Sequence, residues 1–173
     1  MKNMLLVAIA GLAAACQQPQ TPPDPRIAAL VDRQAIDQLV AGDYPRALDA
    51  SDWDAYAATY TEDGELVLLG QSSKGRAAIK TFLSAQPAGQ HVIHVISNLS
   101  YTINGDTATG GAYWQDIGVV NGGPGVVVAG HYEDSLRKVN GAWKFTKRSI
   151  VIDFPPAGGL PAVAEPSGTA SKP

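Results

Sequence analysis

The stretch ALDASDWDAYAATYTEDGELVLL, residues 47–69, carries the chain from helix to strand, and its reading decides the fold. Ser51 or Asp52 starts a short helix that runs through Tyr60, since a short polar side chain there can accept from the first free N–H groups. Residues 65–69 then read as a strand. Upstream, Ile27, Leu30, Val31, Ile36, Leu39 and Val40 recur at roughly helical spacing, with Asp32 placed to cap the second part. Pro45 removes one backbone hydrogen bond and should kink this helix or end a segment of it, after which residues 46–50 continue it. Downstream, residues 75–85 form a further helix with Ile79, Phe82 and Leu83 on one stripe.

From position 91 the pattern changes to strands. Asn104-Gly105-Asp106 and Asn140-Gly141 are turn signals between β-rich runs, and the longer Gly-Gly-Pro-Gly at 122–125 joins two more. Four long antiparallel strands packed under N-terminal helices make an α+β domain with a curved sheet. Such a sheet commonly leaves a cavity beneath the helices.

Both ends read differently from this domain. Residues 1–16, MKNMLLVAIAGLAAAC, have a positive flank at Lys2, a short apolar stretch and small residues ending at Cys16, the sole cysteine. This is too short for a comfortable membrane-spanning helix, which needs about 20 residues. Leu12 to Cys16 resemble the lipobox of bacterial lipoproteins, with Ala13 where leucine is more usual. That resemblance implies export and lipidation of Cys16. Gln17 in place of an aspartate then favours the outer membrane, on its periplasmic side. An ordinary secretory signal with an incidental cysteine is the alternative. Residues 17–26 are proline-rich and read as an extended linker, and 155–173 as a disordered tail. The folded domain is expected over 27–154. No second cysteine exists for an internal disulfide.

Composition narrows the partners. The chain has 173 residues, 45% of them hydrophobic, with a formal net charge of −3. Loss of Lys2 with the signal segment would leave 12 bases against 16 acids. Without a basic footprint, nucleic acid is not an expected partner. The three histidines and scattered acids show no metal-ligand spacing. No Gly-rich phosphate loop precedes a helix, and no serine or cysteine nucleophile motif occurs, so no cofactor is expected.

The ordered set of motifs resembles a known family. ALDASDWDAYAATYTEDGEL (47–66), GRAAIKTFL (75–83), HVISN (94–98), NGDTAT (104–109) and GHYEDSLRKVNGAWKFTKR (130–148) are similar to the SnoaL-like branch of the nuclear transport factor 2-like superfamily. Its relatives include scytalone dehydratase, hexachlorocyclohexane dehydrochlorinase and ketosteroid isomerase. The resemblance implies a conical α+β barrel around a deep pocket, often in a dimer or trimer. It also implies that an aspartate late in the first helix pairs with a histidine on the strand after the third helix. Asp49, four residues before Trp53, and His94, four before Asn98, occupy those motif positions. Leu48 and Leu68 stand where scytalone dehydratases carry tyrosines that hold a water, so that water site is not expected here.

The chemistry of such a pair is direct. A neutral imidazole, with a reference pKa of about 6.5, can abstract a proton near neutral pH. A carboxylate on its other nitrogen fixes the tautomer and stabilises the imidazolium. Elimination or isomerisation of a small apolar molecule then needs no cofactor. Tyr44, Trp53, Tyr60, Asn98, Tyr113, Trp114 and His131 are candidate pocket residues. Plain structural roles compete with these assignments: Asp49 as a cap or solvated charge beside Asp52 and Asp54, His94 as a satisfied sheet histidine, Trp53 as core, and His131 as surface.

Alternation raises one conflict. His91 and His94 are three apart, so on a regular strand they face opposite sides. The odd positions Ile93, Val95, Leu99, Tyr101 and Ile103 are the more apolar, which would put His94 on the wetter face. Either a β-bulge between Val95 and Leu99 reverses the phase, or a partner subunit buries the outer face. The second is preferred and predicts a homodimer through that face. Two functions stay open: a cofactor-independent lyase or isomerase, and a non-catalytic domain of an envelope lipoprotein that binds a small ligand or another protein.

Overall fold

The computed structural model describes residues 24–86 and 91–156. Cys16 with its signal segment, the linker before residue 24 and the tail beyond 156 lie outside the described residues. Helix α1, Pro25–Gln38, is capped by Asp24, whose side chain accepts from the Arg26 N–H at 2.9 Å. Asp32, expected as a cap, lies mid-helix instead. Its carboxylate reaches the Lys138 ammonium at 2.5 Å and accepts from the Trp143 indole at 3.1 Å, tying α1 to the sheet.

The first helix continues through one π-helical turn, Leu39–Asp43, into α2, Tyr44–Asp49. Pro45 sits in the first turn of α2, as the sequence predicts for a segment boundary. Lacking an N–H, it cannot close the usual bond four residues back, and the wider π turn accommodates that. Ser51 takes a positive φ of 54°, and Asp52 caps α3, Trp53–Ala58, by accepting from Ala55 N at 3.0 Å. Helix α4 spans Arg76–Ser84.

Six strands make one mixed sheet in the order β2-β1-β6-β5-β4-β3. They are β1 (Tyr60–Leu68), β2 (Gln71–Lys74), β3 (Ile93–Asn104), β4 (Thr107–Val120), β5 (Gly123–Val139) and β6 (Ala142–Phe154). The four long strands pair antiparallel, as expected, and β1 joins them by pairing parallel to β6. The short β2, sequence QSSK, has no apolar alternation and escaped the reading. The α+β architecture with a curved sheet holds, but the barrel does not close: β2 and β3 are its two edges, and the helices cover one face.

The core lies between helices and sheet. Ile36, Val40, Tyr44, Tyr56 and Tyr60 pack with Leu66 and Phe145 at 0% exposure. Beneath them Arg148, also fully buried, forms a two-pronged ion pair with Asp134 at 2.8 and 2.7 Å. The rings of Tyr44, Tyr132 and Phe145 lie 4.1, 3.8 and 4.0 Å from its guanidinium carbon. The Tyr101 hydroxyl donates to the same carboxylate at 2.5 Å.

The conflict on β3 resolves through the other of the two explanations. The β3–β4 register shifts between Ser97 and Ser100, where two residues of β3 oppose one of β4, and Asn98 adopts φ 52°. This is a β-bulge, with its left-handed residue an asparagine, which tolerates that conformation better than most. Before it, His94 and Ile96 face inward; after it, Leu99, Tyr101 and Ile103 do. The bulge alone reverses the phase, so the preferred explanation, a covering subunit, is not needed for the alternation. His91 precedes β3 and is exposed.

Candidate active site

The last residue of α2 and the second residue of β3 meet beside the cavity, which His94 lines. His94 Nδ1 lies 2.6 Å from Asp49 Oδ1, and the backbone N–H of His94 donates to the same oxygen at 3.2 Å. Helix α2 thus ends with its carboxylate aimed at both the ring and the main chain of one residue. With Nδ1–H donated to Asp49, Nε2 is the ring nitrogen left to act on a ligand. The His94 side chain is 14% exposed and the Asp49 side chain 28%.

A third group, which the sequence reading missed, completes this corner. Asp116 on β4 is the direct cross-strand partner of His94, so its side chain shares the inner face. Its Oδ1 is 3.2 Å from His94 Nε2, and its side chain is also 14% exposed. The distance would suit a hydrogen bond but the direction does not, and Asp116 Oδ1 is left buried without a protein partner. We therefore treat the contact as proximity and not as a made bond. Burial pushes the Asp116 carboxyl above the usual carboxylate range; His94 pulls it back in part, and the Asp49 charge pushes it further up. The signal for this residue was the Asn104-Gly105-Asp106 turn, which fixes the β3–β4 pairing. Unbroken, that pairing would set His94 against Ile117; the one-residue bulge moves it to Asp116.

The cavity these residues border has a volume of about 270 Å³. Leu48, Leu68, Leu69, Leu83, Val128, Ile150 and Ile152 make its apolar walls, while Tyr44, Tyr56, Tyr132, Trp114, Gln86, His94 and Asp116 supply polar groups. Leu48 and Leu68, noted above at the tyrosine places of scytalone dehydratases, do border it. Hydroxyls come instead from other positions: Tyr56 donates to Tyr44 at 2.8 Å. Burial raises the phenols of Tyr56 and Tyr132 well above their ordinary value, so both serve as neutral donors and not as bases. The Trp114 indole N–H is buried with no protein partner.

Of the other pocket candidates, Tyr44 and Trp114 line the cavity and five do not. Tyr60 is fully buried behind Tyr56, their hydroxyls 3.5 Å apart. Trp53 packs half-buried against the core. Asn98, Tyr113 and His131 lie on the opposite face of the sheet, around a shallow depression of about 290 Å³. The reason is parity. Tyr113 and His131 are cross-strand partners and alternate with the inward-facing Trp114 and Tyr132, while Asn98 is the bulge residue itself. His131 there binds Asp153 at 2.7 Å. Among the described residues, no cluster of three or more His, Cys, Asp or Glu side chains could hold a metal ion.

Helices over a curved sheet, with a buried-edge histidine between two carboxylates in an apolar cavity, define a pocket protein of the cystatin-like, nuclear transport factor 2-like class. The chain belongs to the SnoaL-like family: the model of the SnoaL-like domain matches residues 28–149. No curated protein matches it. Among solved structures it is similar to a candidate scytalone dehydratase from Novosphingobium aromaticivorans, at 25% identity and a TM-score of 0.67, covering 84% of this chain and 99% of that one. LinA is similar in fold, at 24% identity and a TM-score of 0.67, over 82% and 99% of the two chains. A candidate aromatic ring hydroxylase from N. aromaticivorans shares 32% identity over 73% of this chain and 92% of its own, with a TM-score of 0.61. Such different descriptions on one fold mean that the site, not the fold, must carry the functional argument.

Proposed function

We propose that this protein is a cofactor-independent lyase or isomerase acting on a small apolar substrate. His94 Nε2 is the base that removes a carbon-bound proton, and Asp49 holds the ring in the tautomer that leaves Nε2 free. The observation that carries this reading is the 2.6 Å contact of His94 Nδ1 with Asp49 at the edge of an apolar cavity. Elimination, or a double-bond shift, follows proton removal without a cofactor, and the proton taken up by His94 Nε2 is the one returned to a leaving hydroxyl or to the shifted carbon. The likeness to a candidate scytalone dehydratase supports the same reading.

The test is a panel of small hydroxy, halo and keto compounds offered to the protein, with loss of substrate followed by mass spectrometry. For any compound that turns over, His94→Ala should lower the rate by roughly 10²–10⁴-fold. A wild-type rate in that variant sinks the mechanism. A second reading, a non-catalytic binding domain, is favoured by the apolar make-up of the walls; it predicts saturable binding that His94→Ala leaves intact and no turnover across the panel.

We also propose that the protein is exported and anchored by lipid on Cys16 to the outer membrane, and that it forms a homodimer through the outer sheet face. The lipobox-like ending supports the first, and the exposed Tyr113 and Ile93 support the second. Cys16→Ala should release the protein from membrane fractions, and sedentary monomer mass in light scattering would refute the dimer.

A further inference from the structure

Helix α1 carries two apolar faces, and the domain uses only one of them. At about 100° per residue, Ile36 shares one side of the helix with Leu39 and Val40 just beyond it, and all three are buried in the core. Ile27, Leu30 and Val31 fall on the opposite side and are 57, 69 and 58% exposed. Every residue from 25 to 31 is exposed, so the first two turns of α1 stand free of the sheet. Farther along the same line come Gln34 and Gln38, which confines the exposed apolar groups to the end of α1 nearest Cys16. A solvated helix face is ordinarily polar, and two free turns are marginal as helix in water. The charges nearby are balanced: Arg26 pairs with Asp24 at 2.7 Å and Arg33 with Asp37 at 3.3 Å.

Chain length names the occupant of this ridge. Eight residues carry the chain from Cys16 to Asp24, and at 3.3–3.6 Å each they reach at most about 29 Å. A lipid on Cys16 holds the start of α1 within that distance of the bilayer. We propose that Ile27, Leu30 and Val31 insert into the membrane surface beside the anchor, making α1 a second point of attachment that orients the domain. This rests on the reading of Cys16 as lipidated. Three aliphatic side chains among balanced charges suit the boundary between headgroups and acyl chains, and not an anionic headgroup layer. The same contact decides where the dyad stands. Asp32 is tied to Lys138 and Trp143, beside the Asn140-Gly141 turn. The Asn104-Gly105 turn shares that end of the sheet, since Lys138 N donates to Asp106 O at 2.8 Å. His94 lies ten residues back along β3 from Asn104, roughly 30 Å at the strand rise. The attached end and the His94 end are thus opposite, so the Asp49–His94 pair is held away from the bilayer and takes its ligand from the aqueous side.

The deciding experiment uses the full chain, matured in cells and reconstituted into vesicles of phosphatidylethanolamine and phosphatidylglycerol that carry nitroxides on their acyl chains. With Cys16 blocked by lipid, Leu30→Cys and His91→Cys each offer one thiol for a fluorescent label; His91 is exposed and marks the His94 end. The label at 30 should be quenched several-fold more than the label at 91. Adding Ile27→Asp and Val31→Asp should abolish that difference. Because those side chains are exposed, the aspartate variant should keep its helical circular dichroism, so lost quenching does not report unfolding. Equal quenching at 30 and 91, or quenching at 30 that survives the aspartates, overturns the proposal. A label at 30 that is shielded from water yet unquenched also overturns it, and means that a second copy of the chain covers the ridge. Mass spectrometry of the Cys16 peptide reads the anchor separately. An unmodified Cys16 removes the anchor and this proposal together, whereas a lipidated Cys16 with an unquenched label at 30 removes this proposal alone.

Discussion

Removing the Asp134 carboxylate should destabilise the fold more than any single change at the surface. Asp134 and Arg148 both have fully buried side chains, joined by two bonds of 2.8 and 2.7 Å. Burial pulls against the Arg148 charge, and Asp134, with lesser help from Tyr44 and Tyr132, more than offsets it. Asp134→Ala leaves that charge without a counter-ion, and breaking a buried pair in this way costs about 3–5 kcal/mol. The Tyr101 hydroxyl loses its acceptor in the same step. The three aromatic rings around the guanidinium keep part of the stabilisation, which places the expected loss near 4 kcal/mol. That is a large share of the roughly 5–15 kcal/mol that holds a domain folded, and corresponds to about 15 °C in Tm. Urea unfolding followed by tryptophan fluorescence measures it. Replacing both partners, Asp134→Leu with Arg148→Met, should recover about 2 kcal/mol or more relative to the single variant, since no orphaned charge remains. A loss below about 1 kcal/mol for Asp134→Ala, or a double variant worse than the single, would refute the desolvation argument.

The bulge gives a conformational test: Asn98→Val puts a β-branched residue at φ 52° and should cost about 1–2 kcal/mol by urea unfolding, while Asn98→Gly should be near neutral. A harmless valine would mean that the bulge is not held there. Asp116 gives a test in pH. Its carboxyl is raised in the folded state, so between its ordinary value and the raised one the folded chain binds more protons than the unfolded chain. Its contribution is present at low pH and is lost as pH rises through the raised value. Asp116→Asn should therefore gain stability relative to the parent protein at pH 7 compared with pH 3, and an equal difference at both pH values would count against the shift.

Much of this protein is determined by its sequence alone. Apolar spacing along 25–49 and 76–84, the cap at Asp52, the break at Pro45 and the Asn-Gly turns specify the helices and the four long strands, because each depends on residues close in the chain. The motif positions of Asp49 and His94 were legible too, and the fold brings those two side chains together. Which side of a strand a residue faces was not. Alternation reports parity only while the register is unbroken, and the single extra residue at Asn98 and Leu99 reverses it for the rest of β3. The same limit hid Asp116, whose place beside His94 depends on that bulge, and it misplaced Tyr113 and His131, which alternate with true cavity residues. The parallel pairing of β1 with β6 joins segments about 80 residues apart and has no local signature. Short-range preference wrote the elements; the register between distant strands decided which of their side chains share the cavity.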